Sequence, residues 1–484
     1  MEPDAVHSPF EYLKSRLGPL SADAELRAYE HWWVEEGAAI SQAVDRAGTP
    51  WLRMYDQLGR RVDEILYPPA YRLMLQRGYQ AGAVWRAFAD RSLLPAYQIG
   101  YITSFFDPGL YCPYIVSLST AVPISKYGSQ AVRERFLPLL LRQDGQGWQG
   151  ATWMTEAAGG SDLGAAVETT AREDGDHWVL DGEKYFASNA GADLAVVAAR
   201  PAGGPKTVRG LALFLVPRLR QDGGLNYYLR RLKDKIGTRS VPTGEVELRQ
   251  SEAYLLGRVE EGIYLILEVL NLSRVGNSVG SAALTQRALS LVQDFARQRV
   301  AFGKPIGEHP LLRRQIEEKG LLLRQSFSLA WEAVRLLDQV WEERPRYSEH
   351  YHLFRLVAHL AKYYTAEVAV QTAKWAMEVY GGVGVLSEHF VERLLREAMI
   401  LPIWEGTPHR QILDGMEVIE RKAADRALFD YLIEKGVECR HLDETSDLIE
   451  TWRGWDADRR EAESEVVFAK LARTTASALA AQGV

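Results

Sequence analysis

The spacing of apolar residues changes twice along the chain. Residues 9–142 are rich in helix formers and aromatic residues, and turn clusters such as Tyr67-Pro68-Pro69 interrupt them. After about Gly147, short apolar runs separated by glycines are typical of strands and turns. From Gly262 onward, apolar residues return at the spacing of long helices that bury one face. The pattern therefore predicts helices, then a β domain, then a helical bundle.

The predicted elements of the middle part are a hairpin and three further strands. We expect the hairpin at 176–182 and 184–186, and the strands at 194–199, 211–216 and 244–248. These strands do not alternate with long helices, so no βαβ unit and no parallel sheet is implied. A Rossmann fold is excluded on the same ground.

The last part is predicted to contain three long helices and several shorter ones. The first long helix starts at Gly262 and the others cover 311–341 and 354–380, the last ending at Gly381-Gly382 by a left-handed termination. A short helix at 388–398 follows, and residues 423–435 and 458–480 form further helices. The expected domains are 1–148, helical; 149–258, β; 259–425, a helical bundle; and 426–484, a helical extension.

Composition and charge narrow the functional class. The chain has 484 residues, of which 57 are basic and 64 acidic, and the formal net charge is −7. Residues 420–484 contain 10 Lys and Arg against 14 Asp and Glu, a balance of −4 that should repel phosphate. We therefore expect no DNA binding. The two cysteines, Cys112 and Cys439, require no oxidising compartment.

Targeting signals are not indicated by the sequence. The first residues, Met1-Glu2-Pro3-Asp4, are acidic and precede no apolar core, so we expect neither a signal peptide nor a transit peptide. No run of 18 apolar residues occurs, so no membrane span is expected. We expect a cytoplasmic protein.

Several common motifs are incomplete. Gly382-Val383-Gly384 has Ser387 where a dinucleotide fingerprint needs its third glycine. Gly303-Lys304-Pro305 lacks the hydroxyl residue of a phosphate-binding loop, and Leu163 stands where a nucleophile elbow after Ser161 needs glycine. The ten histidines form no HExxH motif, and we expect no metal.

A carboxylate on a sharp turn is the main candidate for chemistry. Glu405 lies between Ile403-Trp404 and Gly406, and Thr407-Pro408 predicts an N-cap followed by proline at the first helical position. Apolar neighbours should desolvate Glu405 and raise its pKa toward values useful for removing a weakly acidic proton. A solvated turn glutamate is the alternative.

Two polar segments in the β domain accompany this turn. Residues 154–162 carry hydroxyls and glycines suited to placing N–H groups and Oγ atoms against a polar ring edge. In residues 182–189, Phe186 and Ser188 stand two apart, on one face of a strand. Taken alone, residues 154–162 are compatible with an ordinary loop, and core packing is the better explanation of residues 182–189.

Taken in order, these segments together with residues 297–303, Gly381-Gly382 and 404–407 resemble the acyl-CoA dehydrogenase flavoprotein family. The resemblance covers residues 60–420, and 232–240 with 55–62 are similar to its alkylation-response, AidB-like branch. It implies a mostly α fold with a central β domain: an N-terminal helical domain, a middle β-barrel and a C-terminal helical bundle.

The resemblance also implies an FAD cofactor lying between the β domain and the bundle. The residues implied in FAD binding are Met154, Thr155, Gly160, Ser161, Phe186, Ser188, Arg299, Phe302, Gly381, Gly382, Thr407 and His409. In the family, residues matching Arg299, Phe302 and the Gly381-Gly382 pair reach the FAD of a neighbouring subunit. A complete site would therefore need a homo-oligomer, a dimer or tetramer.

The implied reaction is α,β-dehydrogenation of an acyl-CoA in fatty acid metabolism. Glu405 matches the catalytic base, and Arg274, Ser161 and Gly406 match substrate-binding positions. Electrons would pass to an electron-transfer flavoprotein. Two alternatives remain open, namely a stress-linked flavoprotein of the same fold that binds DNA or protein, and an oxygen-using acyl-CoA oxidase.

Overall fold

The computed structural model describes residues 5–483, which form two compact units. The mixed unit comprises His31–Ser273. The helical unit comprises the described residues up to Glu30 together with those from Arg274 onward. Helices predominate along the chain, and strands are concentrated in the mixed unit.

The described elements include α-helices α1–α17 and strands β1–β11. The helices are α1 Pro9–Leu17, α2 Asp23–Trp32, α3 Ala38–Ala47, α4 Pro69–Ala81, α5 Trp85–Ala89, α6 Leu94–Phe106, α7 Tyr111–Tyr127, α8 Gln130–Leu140, α9 Leu163–Ala166, α10 Gly262–Gln298, α11 Pro310–Val340, α12 Glu349–Tyr380, α13 Phe390–Ala398, α14 Pro408–Lys422, α15 Ala424–Glu434, α16 Asp443–Arg453 and α17 Ala457–Ala481. The strands are β1 Trp51–Tyr55, β2 Arg61–Leu66, β3 Gly150–Trp153, β4 Thr170–Asp174, β5 His177–Ser188, β6 Leu194–Pro201, β7 Ala212–Pro217, β8 Tyr228–Leu232, β9 Thr243–Leu256, β10 Val300–Ala301 and β11 Lys304–Pro305.

Seven strands of the mixed unit form one closed sheet. The order is β3-β6-β4-β5-β9-β7, with β8 on β9, and the path closes because β7 also pairs with β6. Small and large apolar side chains fill its interior, among them Ala195, Val197, Phe214 and Val246, all fully buried. This confirms the predicted fold of a central β-barrel flanked by helices.

Two of the sheet pairings are parallel, so the prediction of no parallel sheet is wrong. β6 pairs in parallel with both β3 and β4. A parallel pair needs a connection that returns the chain to its starting end. Here the long antiparallel strand β5 makes that return after β4, so no crossover helix is required.

The predicted hairpin lies earlier than expected. Its turn is at Gly175-Asp176, between β4 and β5, and 176–182 and 184–186 belong to the single strand β5. The misleading signal was Gly182, which sits inside β5 at a register shift with φ 152°. A Cβ there would lie 2.5–2.8 Å from atoms of Thr169, so the glycine serves close packing rather than a turn.

The N-terminal region predicted as helical also contains a β-hairpin. β1 and β2 pair antiparallel, and the Asp56 carboxylate closes their turn by accepting the backbone N–H groups of Leu58 at 2.8 Å and Arg60 at 2.9 Å. This Asx-type turn was not anticipated because the surrounding segments are strongly helical.

The three long helices that the sequence predicts are present, and α11, α12 and the part of α10 from Arg274 onward belong to the helical unit. α11 packs along α12, and α13 and α14 pack on α12. α12 ends at Gly381, which has φ 63° and ψ −140°. The φ is positive, as expected, but the ψ places the residue outside the left-handed helical region that the sequence predicts. The extension adds α15, α17 and a helix that the sequence did not predict, α16. Of the helices within residues 5–483, none has the length and apolarity needed to cross a membrane.

Candidate active site

The candidate base lies on a tight turn between two helices. The chain leaves α13 at Ala398 and enters α14 at Pro408, and in between Glu405 has φ 57° and Gly406 has φ 97°. Positive φ is unfavourable for a residue with a Cβ, so the surrounding structure must hold Glu405 in place. Thr407 is the N-cap and Pro408 the first helical residue, as predicted, although within the described residues the Thr407 side chain makes no capping hydrogen bond.

Side chains from two helices of the unit hold the backbone of the turn. The Lys362 ammonium of α12 donates to the carbonyl oxygens of Pro402 and Gly406, each at 2.6 Å. The Gln411 amide of α14 donates to the carbonyls of Glu405 at 3.1 Å and Gly406 at 3.0 Å. Carbonyls along the turn are therefore bound by protein donors, and the turn is fixed at both ends.

Helix α10 contributes two further contacts to the turn. Arg274 Nε donates to the Glu405 carbonyl at 3.2 Å, and Asn277 Nδ2 donates to the Leu401 carbonyl at 3.2 Å. The indole N–H of Trp404 in turn donates to Asn277 Oδ1. Arg274 is buried and pairs with Asp414 of α14 at 3.4 Å. The structure thus brings together the candidate residues Arg274, Glu405 and Gly406.

Burial and two cations set the pKa of the candidate base. Burial raises the pKa of the Glu405 carboxyl to about 7, against the opposing effect of the Arg274 and Lys362 charges. The predicted rise is confirmed, but Ile403 is 62% exposed and is not part of the apolar surroundings that were expected. Burial also lowers the pKa of Lys362 to about 7; the Arg274 charge lowers it further, while Glu405 opposes the shift.

Lys362, Gln411 and Asn277 were missed by the sequence analysis. Lys362 and Gln411 are almost fully buried, and Lys362 lies in an apolar stretch of α12. A single lysine on the buried side of an amphipathic helix was the available signal, because lysine is almost never fully buried unless it is paired. His359, one turn earlier on the same helix, bonds the Gln411 amide oxygen at 2.9 Å.

In the mixed unit, the segment after β3 is fixed by a buried ion pair. Lys184 of β5 and Glu156 lie 2.5 Å apart, and both are almost fully buried. Glu156 also accepts the N–H of Glu168 at 2.6 Å and the hydroxyl of Thr169 at 2.5 Å. The Thr155 carbonyl accepts the N–H of Tyr185 at 3.0 Å. Met154 and Thr155 are therefore held beside the strand that carries Phe186 and Ser188.

Phe186 and Ser188 point away from the barrel interior. Ala187 between them is fully buried, whereas Phe186 is 54% exposed. The Ser188 hydroxyl lies 3.3 Å from that of Thr243. The Lys233 ammonium sits 4.7 Å from the centre of the Phe186 ring. The structure thus places an exposed aromatic ring and a hydroxyl on the outer side of the barrel, next to the buried Lys233 ammonium, which pairs with Glu245 at 2.8 Å.

The remaining candidates are exposed. Gly160 and Ser161 precede Asp162, whose carboxylate caps α9 by accepting the N–H of Gly164 at 2.9 Å. Phe302, at the tip of the β10–β11 hairpin, is 97% exposed and has φ 51°. The other exposed candidates are Arg299, Gly381, Gly382 and His409. Within residues 5–483, no group of three or more His, Cys, Asp or Glu side chains is arranged to hold a metal ion.

Family models match the chain over most of its length. The model described as "Adaptive response protein AidB N-terminal domain" matches residues 7–144. "Acyl-CoA dehydrogenase, middle domain" matches 151–251, and "Acyl-CoA dehydrogenase, C-terminal domain" matches 260–419. The chain belongs to the acyl-CoA dehydrogenase family of flavoprotein oxidoreductases and carries an AidB-type N-terminal domain, as the resemblance predicted.

Individual relatives support this assignment. Acyl-CoA dehydrogenase family member 11 of Caenorhabditis elegans is 30% identical over 441 residues, which cover 86% of this chain and 71% of that protein. AidB of Escherichia coli is 31% identical over 409 residues, covering 81% of this chain and 73% of that protein. The crystal structure of Caenorhabditis elegans ACDH-11 in complex with C11-CoA matches with a TM-score of 0.84 at 25% identity, over 97% of this chain and 85% of that one.

Proposed function

We propose that this protein catalyses the FAD-dependent α,β-dehydrogenation of an acyl-CoA thioester, with Glu405 as the catalytic base. The observation that carries the proposal is the half-buried Glu405 carboxyl, held on a fixed turn with its pKa raised to about 7. A general base works best when its pKa lies near the operating pH. At pH 7 roughly half of such a carboxyl is ionised, and it is a stronger base than an ordinary glutamate.

The proton removed is the α-proton of the thioester, which is only weakly acidic. Its removal develops negative charge on the thioester carbonyl oxygen, so a donor aimed at that oxygen lowers the barrier. Backbone N–H groups in such sites contribute on the order of 3–4 kcal/mol. We assign this role to the amide of the turn at Glu405-Gly406. Gly406 and Arg274, with Ser161, are the proposed substrate-binding residues.

The donor set of the candidate residues fits a flavin. Phe186 offers a ring face, and the hydroxyls of Thr155 and Ser188 offer polar contacts at a ring edge. A Cβ built on Gly160, Gly381 or Gly382 meets no described atom within 4 Å, so these backbones are open to close approach. FAD, when bound, supplies the acceptor for the β-hydrogen, which leaves as a hydride.

The proposed FAD-binding residues keep the roles that the resemblance implied. They are Met154, Thr155, Gly160, Ser161, Phe186, Ser188, Arg299, Phe302, Gly381, Gly382, Thr407 and His409. We further propose that an electron-transfer flavoprotein accepts the electrons, that the protein is a homo-oligomer acting in the cytoplasm, and that its domains are those expected from the sequence. The C11-CoA bound to the Caenorhabditis elegans relative supports an acyl-CoA as the substrate class.

The proposal favours an enzyme over a DNA-binding flavoprotein for two reasons. A binding protein has no use for a carboxylate with a pKa near 7 on a clamped turn. Residues 420–484 carry a net charge of −4, which opposes binding to phosphate. An acyl-CoA oxidase would use the same base but would pass its electrons to oxygen. Turnover in air without an added electron acceptor would therefore distinguish an oxidase from a dehydrogenase.

A dye-coupled turnover assay with Glu405→Gln tests the proposed base. Loss of the base should lower kcat by about 10³-fold or more at unchanged flavin content, because glutamine cannot accept the proton. Glu417→Gln on α14 is the control, since the Glu417 side chain is 43% exposed and pairs with the exposed Arg421 at 2.9 Å. Wild-type turnover by the Glu405 variant would overturn the proposal.

A further inference from the structure

Lys362 occupies an unusual place for a lysine. It is 1% exposed, on the long helix α12, far from Glu405 in sequence. Its ammonium donates at 2.6 Å to the carbonyls of Pro402 and Gly406, which flank the turn that carries Glu405. The two acceptors are four residues apart along the chain, so one cation closes the turn as a bridge.

The bridge matters because the backbone of the turn is unfavourable on its own. Glu405 has a positive φ of 57°, which residues with a Cβ keep only when their surroundings fix it. Gln411 and Arg274 bind carbonyls of Glu405 and Gly406, and Asn277 binds the Leu401 carbonyl at the entry of the turn. The Lys362 ammonium bonds to carbonyls on both sides of Glu405. Lys362 therefore anchors the entry of the turn as well as its exit.

We propose that Lys362 is a positioning residue for catalysis, whose ammonium holds the Glu405 turn in its strained geometry and favours the ionised form of the Glu405 carboxyl. This inference rests on the proposed role of Glu405 as the base. In the proposed reaction, Lys362 does not contact the atoms that react. It acts through the turn, so its role differs from that of the catalytic base.

The charged groups around Glu405 define what the ammonium contributes. The cations that act on the carboxyl are Arg274 of α10 and Lys362 of α12, and both lower its pKa against the effect of burial. Asp414 of α14 balances Arg274 at 3.4 Å, and the buried His359 has its pKa lowered by burial to about 3, so it is neutral. Burial lowers the pKa of Lys362 itself to about 7 against the opposing effect of Glu405, so the ammonium acts on Glu405 below that pH. Removing it leaves Arg274, which pairs with Asp414, as the cation near Glu405.

The test compares Lys362→Met, Lys362→Arg and the control Lys374→Met in the flavin-loaded protein. Lys374 lies on the same helix but is half exposed and pairs with Glu378. We expect Lys362→Met to lower kcat about 10²-fold with little change in KM, and to move the acidic limb of the pH profile upward by about one pH unit. Lys362→Arg should return the limb toward its wild-type position, because it restores the charge, and Lys374→Met should behave as wild type.

A direct measurement of the protonation of the Glu405 carboxyl separates the effect of the Lys362 charge from the effect of Lys362 on the geometry of the turn. Infrared difference spectra across pH, with Glu405→Gln to identify the signal, should show the Glu405 carboxyl titrating about one pH unit higher in Lys362→Met than in wild type. If Lys362→Met does not fold, Lys362→Gln keeps a donor without the charge, and the same shift is expected.

The Lys362 and Glu405 variants test the positioning role and the proposed function separately. Wild-type kcat in folded Lys362→Met, or a loss of kcat with an unmoved pH limb and an unmoved infrared titration, would overturn the positioning role. Wild-type turnover by Glu405→Gln would instead overturn the proposed function itself. An inactive Glu405→Gln beside a wild-type-like Lys362→Met would leave the base in place and remove only this inference.

Discussion

At the scale of single residues, the chemistry depends on how burial and charge compete at Glu405. Burial alone favours the neutral carboxyl, and the Arg274 and Lys362 cations favour the ionised one. Burial is the larger effect, so the pKa rises to about 7 rather than falling below its ordinary value. A fully paired carboxylate would be too weak a base, and an unpaired one would stay protonated at neutral pH.

The pH dependence of turnover follows from this balance. Glu405 must be ionised to take a proton, so activity should fall about tenfold per pH unit below pH 7. The measurement is kcat/KM against pH with a saturating dye acceptor, over a range in which the flavin stays bound. A profile that is flat from pH 5 to 8 would show that a group with a pKa of about 7 does not act as the base.

The residues of the site were predictable to different degrees. Glu405 was found because its motif is local: a glutamate between bulky residues and a glycine-proline helix start. Lys362 stands 43 positions earlier (405 − 362), and Asn277 lies earlier still, on α10. Their contacts with the turn exist only once three helices have packed, so no local pattern reveals them.

At the scale of elements, the turn between α13 and α14 is the part that positions the chemistry. Gly406 has φ 97°, and a Cβ added there would lie 2.7 Å from the Gln411 amide nitrogen. That amide is not free to move away, because it donates to the carbonyls of Glu405 and Gly406. A side chain at this position would therefore disrupt the Gln411 hydrogen bonds that hold the turn.

Gly406→Ala should accordingly reduce both stability and turnover. We expect a loss of roughly 1–3 kcal/mol in the free energy of unfolding and a fall in kcat of about tenfold or more. The control is Gly223→Ala, which has φ 85° but no described atom within 4 Å, so it carries the backbone cost alone. Urea unfolding and dye-coupled turnover measure the two effects. Equal losses of stability and turnover in the two variants would argue against a role of the Gln411 hydrogen bonds in holding the turn.

The sequence predicts helices well where the apolar spacing repeats over many turns. The three long helices of the bundle appear near their predicted positions because many turns repeat one buried face. The prediction of short elements depends on single residues: Gly182 predicts a turn although it packs inside β5, and no pattern in the sequence predicts α16. The pairing of β6 with β3 and β4 depends on barrel closure, which no local pattern encodes.

At the scale of the whole molecule, the C-terminal extension is an integral part of the helical unit. α17 packs against α11, α12 and α14. Phe468 of α17 is fully buried, rests on Gly415 of α14, and makes an edge-to-face contact with Tyr363 of α12 at 5.4 Å between ring centres. Glu332, buried on α11, binds the Tyr431 hydroxyl and Lys435 of the extension. The sequence predicts two helices of the extension, α15 and α17, and favours their packing on the bundle or on a partner subunit.

Phe468→Ala should therefore destabilise the protein by about 3–5 kcal/mol, the usual cost of removing a large buried ring. Val466→Ala on the same helix is the control, because Val466 is 57% exposed and its truncation should change stability by less than about 0.5 kcal/mol. Thermal or urea unfolding of the flavin-loaded protein measures both. Similar stability of the two variants would mean that the extension is a loosely attached tail.

Anaerobic titration shows whether Glu405 removes the α-proton in the dehydrogenation of an acyl-CoA. The purified yellow protein is titrated with acyl-CoAs of different chain length and branching while the flavin absorbance is recorded. We predict stoichiometric bleaching by one class of acyl-CoA in the wild-type protein and none in Glu405→Gln at equal flavin content. Absence of bleaching with every acyl-CoA, or equal bleaching in the Glu405→Gln variant, would contradict the account.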